Sequence, residues 1–226
     1  MNTRRLSPLF VVLTTLFVTT LLVSNVIAGK LISVFGAVLP AAVVLFPITY
    51  IFGDVLTEVY GFRQTRLVLW LGFAANIFMA LVFMLVVTLP HPAFWPHQDA
   101  YATVLGMTPR IVVASLLAYF AGEFSNSTVL SVMKKLTHGR WLWTRTIGST
   151  VVGEGVDTLI FIAVAFYGSV PAVTLLNMIL AQYAWKVIYE VLATPVTYAV
   201  VRRVKRVENV DVYDWGVKYN PFSLEV

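Results

Sequence analysis

The sequence predicts an all-α integral membrane protein, a bundle of six transmembrane helices with both termini on the cytoplasmic side. The first reason is composition. Of 226 residues, 59% are hydrophobic and 12% charged, with a mean hydropathy of +0.83, whereas soluble domains carry about a quarter charged residues. The second is the length of the uncharged runs. Leu6–Gly29, Leu31–Gly53, Leu67–Gln98 and Thr158–Trp185 contain no Asp, Glu, Lys or Arg, and a helix needs about 20 apolar residues to cross the hydrocarbon core. The third is the placement of positive charge. Thirteen of the sixteen Lys and Arg residues fall in the N-terminus, in 59–66, in 134–145 and in the tail after 201. Lys30 and Arg110 border the other side, and Lys186 lies within a span. Such asymmetry sets an even number of crossings with cytoplasmic ends.

Residues 1–8 read as a cytoplasmic N-terminus carrying Arg4 and Arg5, followed by span one at about 9–28. A signal peptide cleaved after Val26-Ile27-Ala28 is the alternative, but an apolar run of about 20 residues is long for that role. Lys30–Gly36 is a short connector. Span two is expected at about 37–58, kinked at Pro47, with Asp54 and Glu58 one turn apart near its end. Glu58, beside Gly61 and Arg63, reads as an interfacial residue suited to an ion pair. Span three covers about 67–89. A polar, Pro-rich loop holding Trp95, Asp99 and Tyr101 follows to Pro109. Span four, about 110–133, is interrupted by Glu123, Ser125 and Asn126. Span five is about 146–167. Span six, about 170–201, exceeds one straight crossing at 1.5 Å per residue and carries Pro195, so a tilt or kink is expected. The spans form one domain over 9–201. Residues 202–226 form a polar, aromatic cytoplasmic tail too short to be a domain.

Span five carries the strongest signal. Glu154 and Asp157 are i and i+3, so both carboxylates point to one side, shared by Thr150 and Thr158. Gly148, Gly153 and Gly155 let a second backbone or a flat ligand come close. An acid at membrane depth costs about 2.5–3.5 kcal/mol on insertion scales, so two on one face need a partner, a cavity or a solute. Other spans add Ser24, Asn25, Asp54, Glu58, Asn76, Glu123 and Asn126. Span six presents Gln182, Lys186 and Glu190 at i, i+4, i+8, with Tyr183 and Tyr189 close on the wheel. Lipid satisfies none of these groups, so the stripes face inward and define a binding or translocation site. The plainer reading is packing, since Asn, Gln and Ser join helices for about 0.6 kcal/mol each. One lysine, however, is too few to neutralise every buried acid.

Other chemistries find little support. The basic residues are dispersed, with no patch for nucleic acid. The chain has no cysteine, hence no disulfide and no thiolate site. His91, His97 and Asp99 can hold a metal in principle, but a solvated loop explains them better. There is no phosphate-binding glycine loop and no Ser–His pair within a span. No cofactor is expected.

Four strings carry a family resemblance: Phe46–Gly61 (FPITYIFGDVLTEVYG), Gly122–Leu130 (GEFSNSTVL), Gly139–Asp157 (GRWLWTRTIGSTVVGEGVD) and Gln182–Pro195 (QYAWKVIYEVLATP). In this order and spacing they resemble the VUT-type queuosine precursor transporters, from about Ser24 to Val201, and the YNPF of the tail resembles an ending in that family. The resemblance implies a multi-pass inner-membrane importer of 7-deazaguanine bases, chiefly 7-cyano-7-deazaguanine and also the 7-aminomethyl form. A guanine-like edge offers two adjacent donors that one carboxylate accepts together. Glu154, Asp157 or Glu123 suit that task. Asn25, Asn126, Gln182 or Lys186 suit the carbonyl, and Phe46, Tyr50, Tyr183 or Trp185 suit stacking on the ring. Asp54 joins this set as a buried acid, and Asp54 or Asp157 can carry a coupling proton.

Three rival readings remain at this stage. One is the substrate-binding subunit of a partner-energised importer, or a carrier of another purine-like solute. Such subunits dock their energising module through an A-x-x-x-A motif in the first span, whereas 9–28 holds a single alanine. The second is a membrane enzyme using Glu154 and Asp157 as acid and base, and the third an assembly factor. The sequence leaves the energy source and any homo-oligomer open.

Overall fold

The computed structural model describes residues 7–28, 30–34, 37–106, 109–168 and 171–223. Helix α1 (Pro8–Ile27) begins where Ser7 caps it, its hydroxyl accepting from the amides of Leu9 and Phe10 at 3.1 and 3.3 Å. Pro8 follows in the first turn, where its missing N–H costs nothing. Two strands come next, β1 (Leu31–Val34) and β2 (Ala37–Pro40), paired antiparallel with Leu31 opposite Pro40. After a single 3₁₀ turn (Ala41–Val44), α2 (Phe46–Val55) runs into a π-helical turn over Leu56–Tyr60.

This changes the second span. It was expected to be helical from about 37, kinked at Pro47. The helix instead begins at Phe46 and places Pro47 in its first turn, where no intrahelical N–H is required. Hydrophobicity alone does not separate strand from helix in an apolar run. The π turn ends at Gly61, with φ at 83°. A Cβ there would come within 2.7 Å of Val212 and 2.8 Å of Asp214, so both conformation and close packing select glycine.

Helix α3 (Phe62–Thr88) leads to the short helix α4 (Gln98–Leu105), inside a stretch expected to be an irregular loop. The Gln98 side chain ties α4 to the end of α3 by donating to the Val87 carbonyl at 2.8 Å. The long helices α5 (Pro109–Leu136), α6 (Leu142–Phe166) and α7 (Ala172–Glu208) complete the chain. Among the described residues the architecture is helical apart from one hairpin. Among the described residues α1, α3 and α6 are both long and apolar enough to cross a membrane by length and composition. Helix α7 has 37 residues and continues through Pro195.

The helices run so that one end of the bundle gathers the start of α1, the π turn, the start of α3, the end of α5, the start of α6 and the end of α7. Phe10 meets Tyr60 edge-to-face at 4.9 Å, while Arg145 and Lys205 both reach Glu58. Phe17, Val55, Leu56, Val59, Phe62, Val68 and Leu69 fill the interior near this end. Residues 209–223 fold back across it. The Val212 amide donates to the Val59 carbonyl at 3.0 Å, the Trp70 indole to the Pro221 carbonyl at 2.8 Å, and Arg66 to the Asn220 carbonyl at 3.1 Å. Phe222 closes on Trp70 and Phe120. The tail is a cap on the bundle rather than a free extension.

Candidate functional site

The site begins with the contact between α5 and α6. A Cβ at Gly153 would lie 2.6 Å from Cβ and 3.0 Å from Cα of Asn126. One at Gly122 would lie 2.6 Å from Cβ of Asp157 and 3.1 Å from the Gly153 carbonyl oxygen. Each helix therefore brings a glycine against the other's backbone. This contact sets Asp157 beside α5 and, through the i, i+3 spacing, carries Glu154 into the same groove. Gly148 instead meets the side chain of Met133, and Gly155 that of Tyr183.

Lys186 reaches this groove from α7. Its Nζ lies 2.6 Å from Oε2 of Glu154 and also pairs with Asp157. The lysine side chain is 4% exposed, Glu154 10% and Asp157 23%, so the charges meet where water is scarce and their attraction is little screened. From α2, the buried Tyr50 stands within electrostatic reach of Glu154, Asp157 and Glu123. Glu123, half-buried on α5, lies across from Gly53 of α2. One turn further along α5, Asn126 donates to Oδ1 of Asp54, the residue after Gly53, at 3.4 Å. Glu190 lies one turn beyond Lys186 on α7. Both Asp54 and Glu190 are 1% exposed.

Seven of the residues expected from the sequence thus come together between α2, α5, α6 and α7: Tyr50, Asp54, Glu123, Asn126, Glu154, Asp157 and Lys186. Gln182 sits half-buried one turn before Lys186. Tyr183 borders the α6–α7 seam, its hydroxyl donating to the Val151 carbonyl at 3.1 Å. Phe46 opens α2, but its side chain lies outside the described residues. Asn25 stands elsewhere. Near the far end of α1 it donates to Asn76 at 2.5 Å and accepts from Ser115 at 3.3 Å. These residues line a small surface cleft with Met79, Phe83, Met84 and Leu105.

A second polar cluster lies at the opposite end and was only glimpsed in the sequence. Glu58 is fully buried, and the ion pairing its position suggested is present. It accepts two hydrogen bonds from Arg145, each 2.7 Å, and one from Lys205 at 2.7 Å, with Lys134 at 3.7 Å. Lys134 and Lys205 also hold Asp211 of the tail, at 2.5 and 2.8 Å. Burial pushes the Asp211 carboxyl up, but the two lysines outweigh it and hold the group below its ordinary value. Asp214 caps the start of α3, accepting from the Phe62 amide at 2.9 Å, and also accepts from Ser131. In the sequence the basic run 134–145 reads as loop charge. Arg145 and Lys134 are in fact 1% and 2% exposed.

Apolar helices of membrane length packed round a buried polar cluster define a membrane transport protein as the class. The chain belongs to the VUT-type transporter family: the family profile, described as "Putative vitamin uptake transporter", matches residues 40–200. The family is one of transporters, not enzymes. The chain is 31% identical over 177 residues to the "Probable queuosine precursor transporter" of Bacillus subtilis (strain 168), covering 78% of this chain and 77% of that one. It is 25% identical over 171 residues to the "Queuosine precursor transporter" of Escherichia coli (strain K12), covering 74% and 75%. No solved structure matches the chain.

Proposed function

We propose that this protein imports queuosine precursors, 7-cyano-7-deazaguanine first and the 7-aminomethyl form second, across the inner membrane. The observation that carries the reading is the cluster round Lys186. Acids from α5 and α6 meet one cation from α7 and one phenol from α2, near the middle of each long helix. The relatives' names supply the substrate class.

In this reading α1, α3, α5, α6 and α7 each cross the bilayer, and α2 crosses with the 3₁₀ turn before it. The fifteen helical residues from Phe46 to Tyr60 span about 22 Å at 1.5 Å per residue, short of the ~30 Å hydrocarbon core. The Glu58 end, where the basic residues collect, is cytoplasmic. The base lies between α5, α6 and α7. The half-exposed Asp157 or Glu123 accepts the N1–H and the exocyclic amine together, a geometry in which a carboxylate reads two donors at once. Lys186 donates to the base carbonyl while Glu154 retains it. Tyr50 and Tyr183 bound the ring, with Asn126, Gln182 and Asp54 completing the polar wall.

The test uses cells able neither to make nor to import the precursor, supplied with 7-cyano-7-deazaguanine at limiting concentration. Expression of this chain should restore queuosine in tRNA. Glu154→Gln and Asp157→Asn, at wild-type membrane levels, should lower uptake about 10- to 100-fold, the worth of one hydrogen bond to a charged group. Well-inserted wild-type protein that restores no queuosine would remove the substrate assignment.

A further inference from the structure

Glu190 has no role in the substrate cluster, and it stands beside Asp54 at the edge of the polar wall. Glu190 and Asp54 are each 1% exposed. Among the described residues neither carboxylate oxygen of Glu190 has a hydrogen-bond partner, and Oδ2 of Asp54 has none either. They face one another electrostatically from α7 and α2. The acids within electrostatic range are Glu123 from α5, Glu154 from α6, which is paired with Lys186, and Glu58, which is held by Arg145 and Lys205. Asn126 of α5 gives its amide to Asp54. The nearest cation along α7 is Lys186, one turn away, and it is already engaged with Glu154 and Asp157. A buried carboxylate without a hydrogen-bond partner is costly to keep charged, and a bound proton removes that cost.

We propose that Glu190, faced by Asp54, is the proton-carrying site of this transporter and couples import to proton entrance. This rests on the importer reading given above. The sequence alone left Asp54 and Asp157 as equal candidates. Asp157 is already committed to Lys186 within the substrate cluster. The position also suits the task. Glu190 lies one turn below the substrate lysine, so occupancy of the base site can bias it. Asp54 stands one helical turn before the cation-held Glu58, on the side of the bundle proposed to be cytoplasmic. The proton passes from the outer aqueous phase to a carboxylate oxygen and leaves as a hydrated proton on the cytoplasmic side. No bond of the base is made or broken.

The experiment reconstitutes the full chain in liposomes with radiolabelled 7-cyano-7-deazaguanine as the probe. With acid outside, wild-type protein should accumulate the base above equilibrium, and a protonophore should abolish the excess. Glu190→Gln should still exchange labelled for unlabelled base yet lose accumulation altogether. Wild-type accumulation indifferent to the pH gradient, or undiminished accumulation by E190Q, would overturn the proposal. Should wild-type protein not exchange this base at all, it is the substrate reading that fails. Infrared spectroscopy then decides the proton site by itself, as it does if E190Q proves inactive in exchange. A protonated-carboxyl band at neutral pH that disappears in E190Q supports it, and absence of that band from the wild-type spectrum sinks it.

Discussion

Lys186 meets two carboxylates with one positive charge, and so does much of the work of keeping the middle of the bundle together. Replacing it with methionine leaves Glu154 and Asp157 facing one another without a cation. Lys186→Met should therefore abolish queuosine restoration, and a double variant with Glu154→Gln should recover thermal stability but not uptake. Detergent melting curves beside tRNA queuosine content check both halves. At the other end Glu58 holds Arg145 through two hydrogen bonds in the absence of water. Arg145→Ala leaves that carboxylate short of its best partner, a loss of about 3–5 kcal/mol when a buried pair is broken from one side. The Tm should drop sharply, while alanine at the exposed Arg202 of α7 should change it little. The sequence made it legible that Glu154 and Asp157 share one helix face, because i, i+3 spacing puts both on one side. It did not make Arg145 legible. A basic residue at a helix start looks the same whether it faces water or closes over a buried acid.

At the scale of elements, the tightest joint is the glycine contact between α5 and α6. Gly153→Val would push side-chain atoms into Asn126, already 2.6 Å from the position of a Cβ. Overpacking of that kind costs about 1–3 kcal/mol, and here it would also part Asp157 from α5. We expect lowered stability together with lost uptake, whereas valine at Gly168, which has nothing within 4 Å of a Cβ, should strain only its own turn and spare the packing of the site. The tail is the second such element. Asp211 holds Lys134 and Lys205, and its carboxyl sits below the ordinary aspartate value. A group depressed in the folded state contributes stability above its unfolded pKa of about 3.9 and loses it as pH falls through the lower folded value. Tail docking should thus be constant from neutral pH down to about 4 and weaken below it. Asp211→Asn should remove that acid-dependent part. Limited proteolysis across pH reads the change, which will be modest because the carboxylate is partly exposed.

For the molecule as a whole, orientation is the property still to be measured, and the absence of native cysteine makes that direct. His97→Cys and His138→Cys lie at exposed positions beyond opposite ends of the bundle. On intact spheroplasts an impermeant maleimide should label the first and spare the second until the membrane is opened. The reverse pattern would invert the proposed topology. Hydropathy and charge by themselves determined a membrane helical protein, because bilayer insertion is a sum over composition and length that needs no knowledge of neighbours. They also determined that acids on α2, α5, α6 and α7 must turn inward, since lipid offers them no partner. Only the tertiary structure decided which acids share Lys186, which stand unpaired, and where Asn25 belongs. It alone turned the start of span two into a hairpin and the tail into a cap. Those outcomes depend on which helix faces lie together, and residues as distant in the chain as Glu58 and Lys205 acquire their meaning only when the fold brings them to 2.7 Å.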